Sequence, residues 1–278
     1  MRFGIITDIH HAPLQTAPDG FINPHQFATT LDRLQRSIDW LVAQGADRIA
    51  VLGDLTHRGD AESMGDVLGL LAGSGLPVWV IPGNHDLGET GTMLADEVAR
   101  IGNDALTVLD ARPQRLGEVW SAVGTGVAFP ANDGNWFATG VPDVTALGDA
   151  PLLILSHFPI LGVAEQAAAA NLKYAGDMNN RAEVAAALDT RSAPTVVLNG
   201  HLHVRYAQAA GHVLQASCGA QVESLFEATL VDLGDWVEGR VSWESVAIDP
   251  VWDGPNPGMS APTQTWRWDG ARWRDENS

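Results

Sequence analysis

Seven residues at five places in the chain carry groups that bind metals: Asp8 and His10, Asp54, Asn84, His157, and His201 with His203. Imidazole combined with carboxylate and amide oxygen suits zinc, iron or manganese and suits calcium poorly. One ion takes only three or four such ligands. Seven, distributed over five segments, therefore point to two ions sharing a bridge. In two-metal sites the ions lie about 3.5–4 Å apart and clamp both oxygens of an in-line displacement. We place Asp54, in Gly53-Asp54-Leu55-Thr56-His57-Arg58-Gly59, at that bridge, with the other four segments converging on it.

Each segment follows a short apolar run. Residues 3–7 precede Asp8, 48–52 precede Gly53-Asp54, and 77–81 lead to Gly83-Asn84-His85-Asp86. Residues 152–156 deliver His157, and 195–198 deliver Gly200-His201-Leu202-His203. Such runs read as buried strands, and open α/β sheets place their ligands beyond the carboxyl ends of strands. Helix patterns lie between them. Residues 25–44 put Phe27, Leu31, Leu34, Ile38, Leu41 and Val42 on one face and stop at Gly45. Residues 61–71 and 92–100 read as further helices, and the alternation predicts parallel strands with crossover helices.

The stretch 106–128 reads as short strands, and 134–150 as loop. The excursion 158–180 carries an Ala-rich helical piece at 164–172 and is followed by a short helix over 181–188. The runs at 213–214, 228–231 and 241–246 alternate as antiparallel strands do. Six of the ten Trp fall from Trp236 onward, and 266–273 predicts a hairpin with a tight Asp269-Gly270 turn. The expected organisation is a main domain over 1–248 and a Trp-rich extension over 249–278 packed on it, an ordinary aromatic hairpin, a dimer contact or a wall of the substrate cleft.

The motifs D-x-H at Asp8–His10, G-D at Gly53–Asp54, G-N-H-D at Gly83–Asp86, the lone His157 and G-H-x-H at Gly200–His203 follow the order of the calcineurin-like metallophosphoesterases. The chain resembles that family over residues 8–203. The resemblance implies an α/β fold, a four-layer α-β-β-α sandwich of two mixed central sheets flanked by helices. It implies that Asp8, His10 and His203 hold one metal, that Asn84, His157 and His201 hold the other, and that Asp54 bridges. A metal-bridging hydroxide would attack phosphorus, and His85, not a ligand in the family, would contact the phosphate and protonate the leaving oxygen. Arg58 falls where the Ser/Thr phosphoprotein phosphatases carry a phosphate-binding Arg. However, His57 stands where those enzymes have an Asp that pairs with the catalytic His, and Asp86 stands where they have Glu. The chain is more similar to bacterial phosphodiesterases of the class III cyclic-nucleotide and glycerophosphodiester type.

The net charge of −18 disfavours nucleic acid, which needs clustered Lys and Arg, and reads as a soluble, self-repelling surface. No apolar run approaches the roughly 20 residues of a membrane span. Cys218 is the only cysteine, which with the absence of a signal-like start gives the expectation of a cytoplasmic, disulfide-free protein. The expected activity is hydrolysis of a small soluble phosphodiester with two ions of Mn, Fe or Zn; phosphomonoester or nucleotide pyrophosphate hydrolysis is the alternative on the same core. A non-catalytic scaffold is the alternative from another class, and a homo-oligomer could form through the C-terminal region. His11 and His57 read as supporting or surface residues, Asp86 as orienting its turn, and Cys218 as a buried thiol; His25 and His212 have no assignment. Asn179 and Asn180 read either as caps of the helix at Arg181 or, with Tyr174, as substrate contacts.

Overall fold

The computed structural model describes residues 1–15, 17, 19–87, 93–128, 138–144, 147–172, 175–176, 178–234, 236, 238–249 and 259–277. Tyr174 lies outside the described residues. In chain order the elements are β1 (Arg2–Ile6), α1 (Thr30–Ala43), β2 (Arg48–Val51), α2 (Ala61–Ala72), β3 (Val78–Val80), α3 (Met93–Ile101), β4 (Leu106–Val108), β5 (Gln114–Leu116), β6 (Trp120–Thr125), β7 (Val127–Ala128) and β8 (Ala138–Thr139). There follow β9 (Leu152–Ser156), α4 (Ala164–Ala169), α5 (Arg181–Asp189), β10 (Thr195–Asn199), β11 (Tyr206–Ala210), β12 (Val213–Ser217), β13 (Glu227–Asp232), β14 (Arg240–Ala247), β15 (Thr263–Trp268) and β16 (Trp273–Asp275). Single 3-10 turns occur at Phe27–Thr29 and Asn84–Asp86.

Two mixed sheets form the centre. The first has the order β16-β15-β14-β13-β1-β2-β3-β4, and the second β11-β12-β10-β9-β6-β5. Phe3, Ile5, Leu52 and Trp79 of the first sheet meet Leu153, Leu155, Val196 and Leu198 of the second in the inter-sheet core. The outer face of the first sheet is covered by Leu34, Ile38 and Leu41 of α1 and Val67, Leu68 and Leu71 of α2. Val184 and Leu188 of α5 pack on the outer face of the second. The result is the four-layer sandwich. The strands read as near-continuous apolar runs because both faces are buried. Asp60, six residues after Asp54, caps α2 by accepting the Ser63 N–H at 2.8 Å.

Register places the functional ends. Ile6 pairs with Val51 and Val51 with Val80, so β1, β2 and β3 finish side by side. In the second sheet Asn199 pairs with Ser156, so β9 and β10 also finish together. The polar residues that follow each strand therefore emerge at one edge of the sandwich.

The structure departs from the sequence reading at four places. Val213–Ser217 is parallel to β10 on one side and antiparallel to β11 on the other, and all five of its residues are buried. The helix of 25–44 opens as a 3-10 turn and is α-helical only from Thr30, with Val42 exposed. The terminal hairpin does more than pack on the domain: Trp273 enters the inter-sheet core with Trp266 and Trp268 against it, and β15 also pairs with β14, so the hairpin continues the first sheet as its edge. Its turn is wider than two residues, because Trp268 pairs with Trp273. Asp269 closes that loop by accepting the N–H groups of Ala271 and Arg272 at 3.0 and 2.9 Å. Among the described residues, no helix is long and apolar enough to cross a membrane.

Candidate metal centre

Five of the predicted ligands leave their strands in an unusual way. Asp8, His10, Asp54, His201 and His203 all have φ between 49° and 66°, in the left-handed region. Non-glycine residues there cost on the order of 1–3 kcal/mol each and cluster at functional sites; Asp and His tolerate the region better than most. The glycines in the motifs meet a different demand. A Cβ at Gly83 would collide with the Asp54 carboxylate, and one at Gly200 with Thr7 and Asp8. Gly83 can approach Asp54, and Gly200 can approach Asp8, only without a side chain.

All seven predicted ligands come together. Asp54 Oδ2 lies 3.4 Å from His10 Nε2 and 3.3 Å from His157 Nε2. His203 Nε2 is 3.4 Å from Asp8 Oδ1. Asn84 Oδ1 is 3.0 Å, and His201 Nδ1 3.2 Å, from His157 Nε2. Asp8, His10 and His203 form one group and Asp54, His157 and His201 a second, with donor atoms within 4.8 Å of one another in each. Asp8 and His157 are fully buried, and Asp54 and His10 almost so.

The donor chemistry fits cations. His157 Nδ1 donates to Leu52 O at 2.8 Å. His203 Nδ1 faces Glu223 Oε1 at 2.6 Å. With Nδ1 so committed, each Nε2 faces carboxylate or amide oxygens, a contact that needs either a proton on Nε2 or a metal cation between the two. The titration directions show the carboxylates drawing positive charge onto the rings as protons. Burial alone would push His157 down, but Asp54, the hydrogen bond to it and Asp8 outweigh that and hold it at about 9. Burial is likewise overcome at His203 by Asp8 and Glu223, which hold it at about 10. His201, buried beside His157, is pushed down to about 3. Asp54, despite burial, is held well below the usual carboxylate range by His157 and His85. His10 Nε2 is enclosed with no hydrogen-bond partner.

His85 sits beside the ligands. Its N–H donates to Asp54 Oδ1 at 2.8 Å, and its Nδ1 to the carbonyl of His57 at 2.8 Å. Its ring lies 4.6 Å from that of His10. His57 stacks on His85 at 5.2 Å and 17°, so His57 orients it through its backbone. Asp86 accepts N–H groups from Leu55, Thr56 and Gly83 at 3.1, 2.9 and 2.9 Å and ties the Asp54 loop to the Asn84 turn. Burial and the Asp54 charge push it up to about 6.

Other sequence-stated residues have different places. Arg58 is exposed and donates to Gln15 at 2.5 Å, over a cleft of about 370 Å³ lined by 12–15, Asp60, Glu62 and Ser63. Asn180 is the residue before α5 but makes no side-chain cap. Its amide exchanges two hydrogen bonds with Thr139 backbone, at 3.0 and 2.7 Å, which clamps β8. Asn179 directly precedes it at the end of the excursion. His11 bridges to Thr30 and Asp66, His212 contacts Leu188 O, and the buried Cys218 thiol is pushed up to about 12.

Glu223, His25 and Asp19 had no signal in the sequence. Glu223 also accepts the N–H groups of Ile22 and Asn23, at 3.1 and 2.7 Å, and so fastens that loop beside the ligands. The loop brings Phe21 to 5.4 Å from His203 and His25 to 5.3 Å from His10, ring to ring. Glu223 is joined to partners 20 and about 200 residues away, a separation that spacing cannot reveal.

A sequence profile described as calcineurin-like phosphoesterase matches residues 1–205. The chain belongs to that family, whose members carry a dinuclear metal centre. Among solved structures it is similar to a dimetal phosphatase from Danio rerio, with a TM-score of 0.69 at 13% identity, over 89% of this chain and 96% of that one. It is also similar to a Thermus thermophilus protein (TM-score 0.57, 17% identity, 89% and 99% covered). A third is a purple acid phosphatase from yellow lupin (TM-score 0.52, 12% identity, 95% and 53% covered). No curated protein matches the chain.

Proposed function

We propose that the protein hydrolyses the phosphodiester bond of a small soluble substrate, of the cyclic-nucleotide or glycerophosphodiester type. The observation that carries this reading is the convergence of seven ligands around Asp54 with His85 beside them. Asp8, His10 and His203 would hold one ion and Asn84, His157 and His201 the other, each of Mn, Fe or Zn, with Asp54 between. When bound, such ions supply Lewis-acid polarisation of the phosphoryl group and an acidified water at neutral pH.

The chain's own groups do the rest. His85, with Nδ1–H committed to the His57 carbonyl, presents Nε2 to a phosphoryl or leaving oxygen; as the imidazolium it gives its Nε2 proton to the departing alkoxide and is left neutral. Around the ligands stand imidazoles and carboxylates: His25, His57, Asp19 and Glu223. Burial pushes His25 down to about 4, so it stands beside the site as a neutral imidazole. A monoanionic diester suits neutral donors and a chain of charge −18 better than a dianionic monoester does.

The test is turnover of bis(p-nitrophenyl) phosphate against p-nitrophenyl phosphate across Mn, Fe and Zn. Faster diester cleavage is expected. A strong monoester preference would move the assignment to the phosphomonoesterase reading, which draws on the Danio rerio neighbour named a dimetal phosphatase.

A further inference from the structure

Two residues outside the ligand set form a chain that ends on a ligand. His57 Nε2 lies 3.1 Å from Asp19 Oδ2. Its other nitrogen, Nδ1, lies 3.3 Å from His10 Nδ1. Asp19 is itself anchored: its Oδ1 accepts the Gly20 N–H at 2.7 Å, and its carbonyl accepts the His25 N–H at 2.8 Å. Two ring nitrogens at contact distance share one hydrogen, since two would collide and none would oppose two lone pairs.

The hydrogen count has one solution compatible with a ligating His10. An ionised Asp19 can only accept, so His57 Nε2 carries the hydrogen. The neutral ring then has a bare Nδ1, which accepts from His10 Nδ1–H. This leaves His10 Nε2 bare, and that atom is the enclosed nitrogen without a hydrogen-bond partner, 3.4 Å from Asp54 Oδ2. We propose that Asp19 and His57 are positioning residues that lock His10 in the tautomer able to hold a metal. The inference rests on the reading of His10 as a ligand.

A rival use of the same atoms would reverse this arrangement. Donor atoms of Asp19, His25 and His57 also lie within 4.8 Å of one another. An ion there would take His57 Nε2 and put the hydrogen on Nδ1. His10 would then accept at Nδ1 and carry its own hydrogen on Nε2, which is lost as a ligand. A third ion and a ligating His10 are therefore alternatives.

The experiment uses the full chain, labelled with nitrogen-15 and loaded with zinc, and reads imidazole tautomers by long-range proton–nitrogen spectra. The expected pattern is Nε2–H with bare Nδ1 at His57, and Nδ1–H with metal-bound Nε2 at His10. His57→Phe should weaken one of two zinc ions by about 10–100-fold in chelator competition, as loss of an outer partner does, and leave the second unchanged. His57→Gln, which restores an accepting oxygen, should recover most of that loss. Nδ1–H at His57, a third equivalent of zinc, or equal behaviour of the Phe and Gln variants would overturn the proposal. Failure to bind any zinc would sink the metallohydrolase reading instead. The His57 tautomer in the metal-free chain would then still decide the role of Asp19.

Discussion

In the half of the site formed by Asn84, His157 and His201, the imidazole of His157 is held by a main-chain carbonyl, Leu52 O, at 2.8 Å. In the half formed by Asp8, His10 and His203, the imidazole of His203 is held by the Glu223 carboxylate at 2.6 Å. The first support belongs to the end of β2 and is fixed by the sheet. The second is a side chain that also anchors the backbone of Ile22 and Asn23, whose loop walls the site. One half is thus part of the scaffold, and the other is tied to the loop that lies beside it. Mutation reaches the second half far more readily, because a carbonyl cannot be replaced.

The change with the largest expected effect removes what the halves share. Asp54→Ala should lower metal content below about one ion per chain and abolish hydrolysis, because both groups lose a ligand; elemental analysis checks it. His85→Asn should leave both ions in place and slow turnover by about 10²–10⁴-fold. A fall in its metal content would show that His85 is a ligand. Glu223→Gln separates the halves: one ion should weaken by about 10–100-fold in chelator competition while the other is unchanged. Equal weakening of both would erase the difference drawn here.

A smaller, pH-dependent effect concerns the metal-free chain. His157 and His203 are raised above the ordinary 6.5 of histidine, to about 9 and about 10. A raised basic group contributes stability that is fully present below pH 6.5 and lost as pH rises through the folded value. The melting temperature of the metal-free chain should therefore fall between about pH 7 and 10, and that of the metal-loaded protein should change less over this range. Parallel melting curves would count against the protonated pair.

The residues that converge were legible as candidates because their segments close apolar runs that both sheet faces bury, as at Ile5-Ile6-Thr7-Asp8. The parallel order of β1, β2 and β3 was legible from the helices between them. The strand Tyr206–Ala210 was not, since its Ala-rich sequence carries little β signal. The pairing of β12 with β10 was hidden because the run at 213–214 reads as one of several alternating strands, whereas all five residues of Val213–Ser217 are buried and β12 lies parallel to β10. Asn180 shows a local rule overtaken by a distant one: it stands at a cap position, yet its amide serves Thr139 41 residues away. Glu223 and Asp19 escaped for the same reason, as their partners are set by the fold and not by neighbours in sequence.

The most direct test of the two-metal account is calorimetric titration of zinc into the metal-free chain at pH 7, in two buffers of different ionisation enthalpy. The account predicts two ions per chain and the release of about two protons, those that His157 and His203 must give up to become ligands. Binding of a single ion, or of two ions with no proton released, would contradict it.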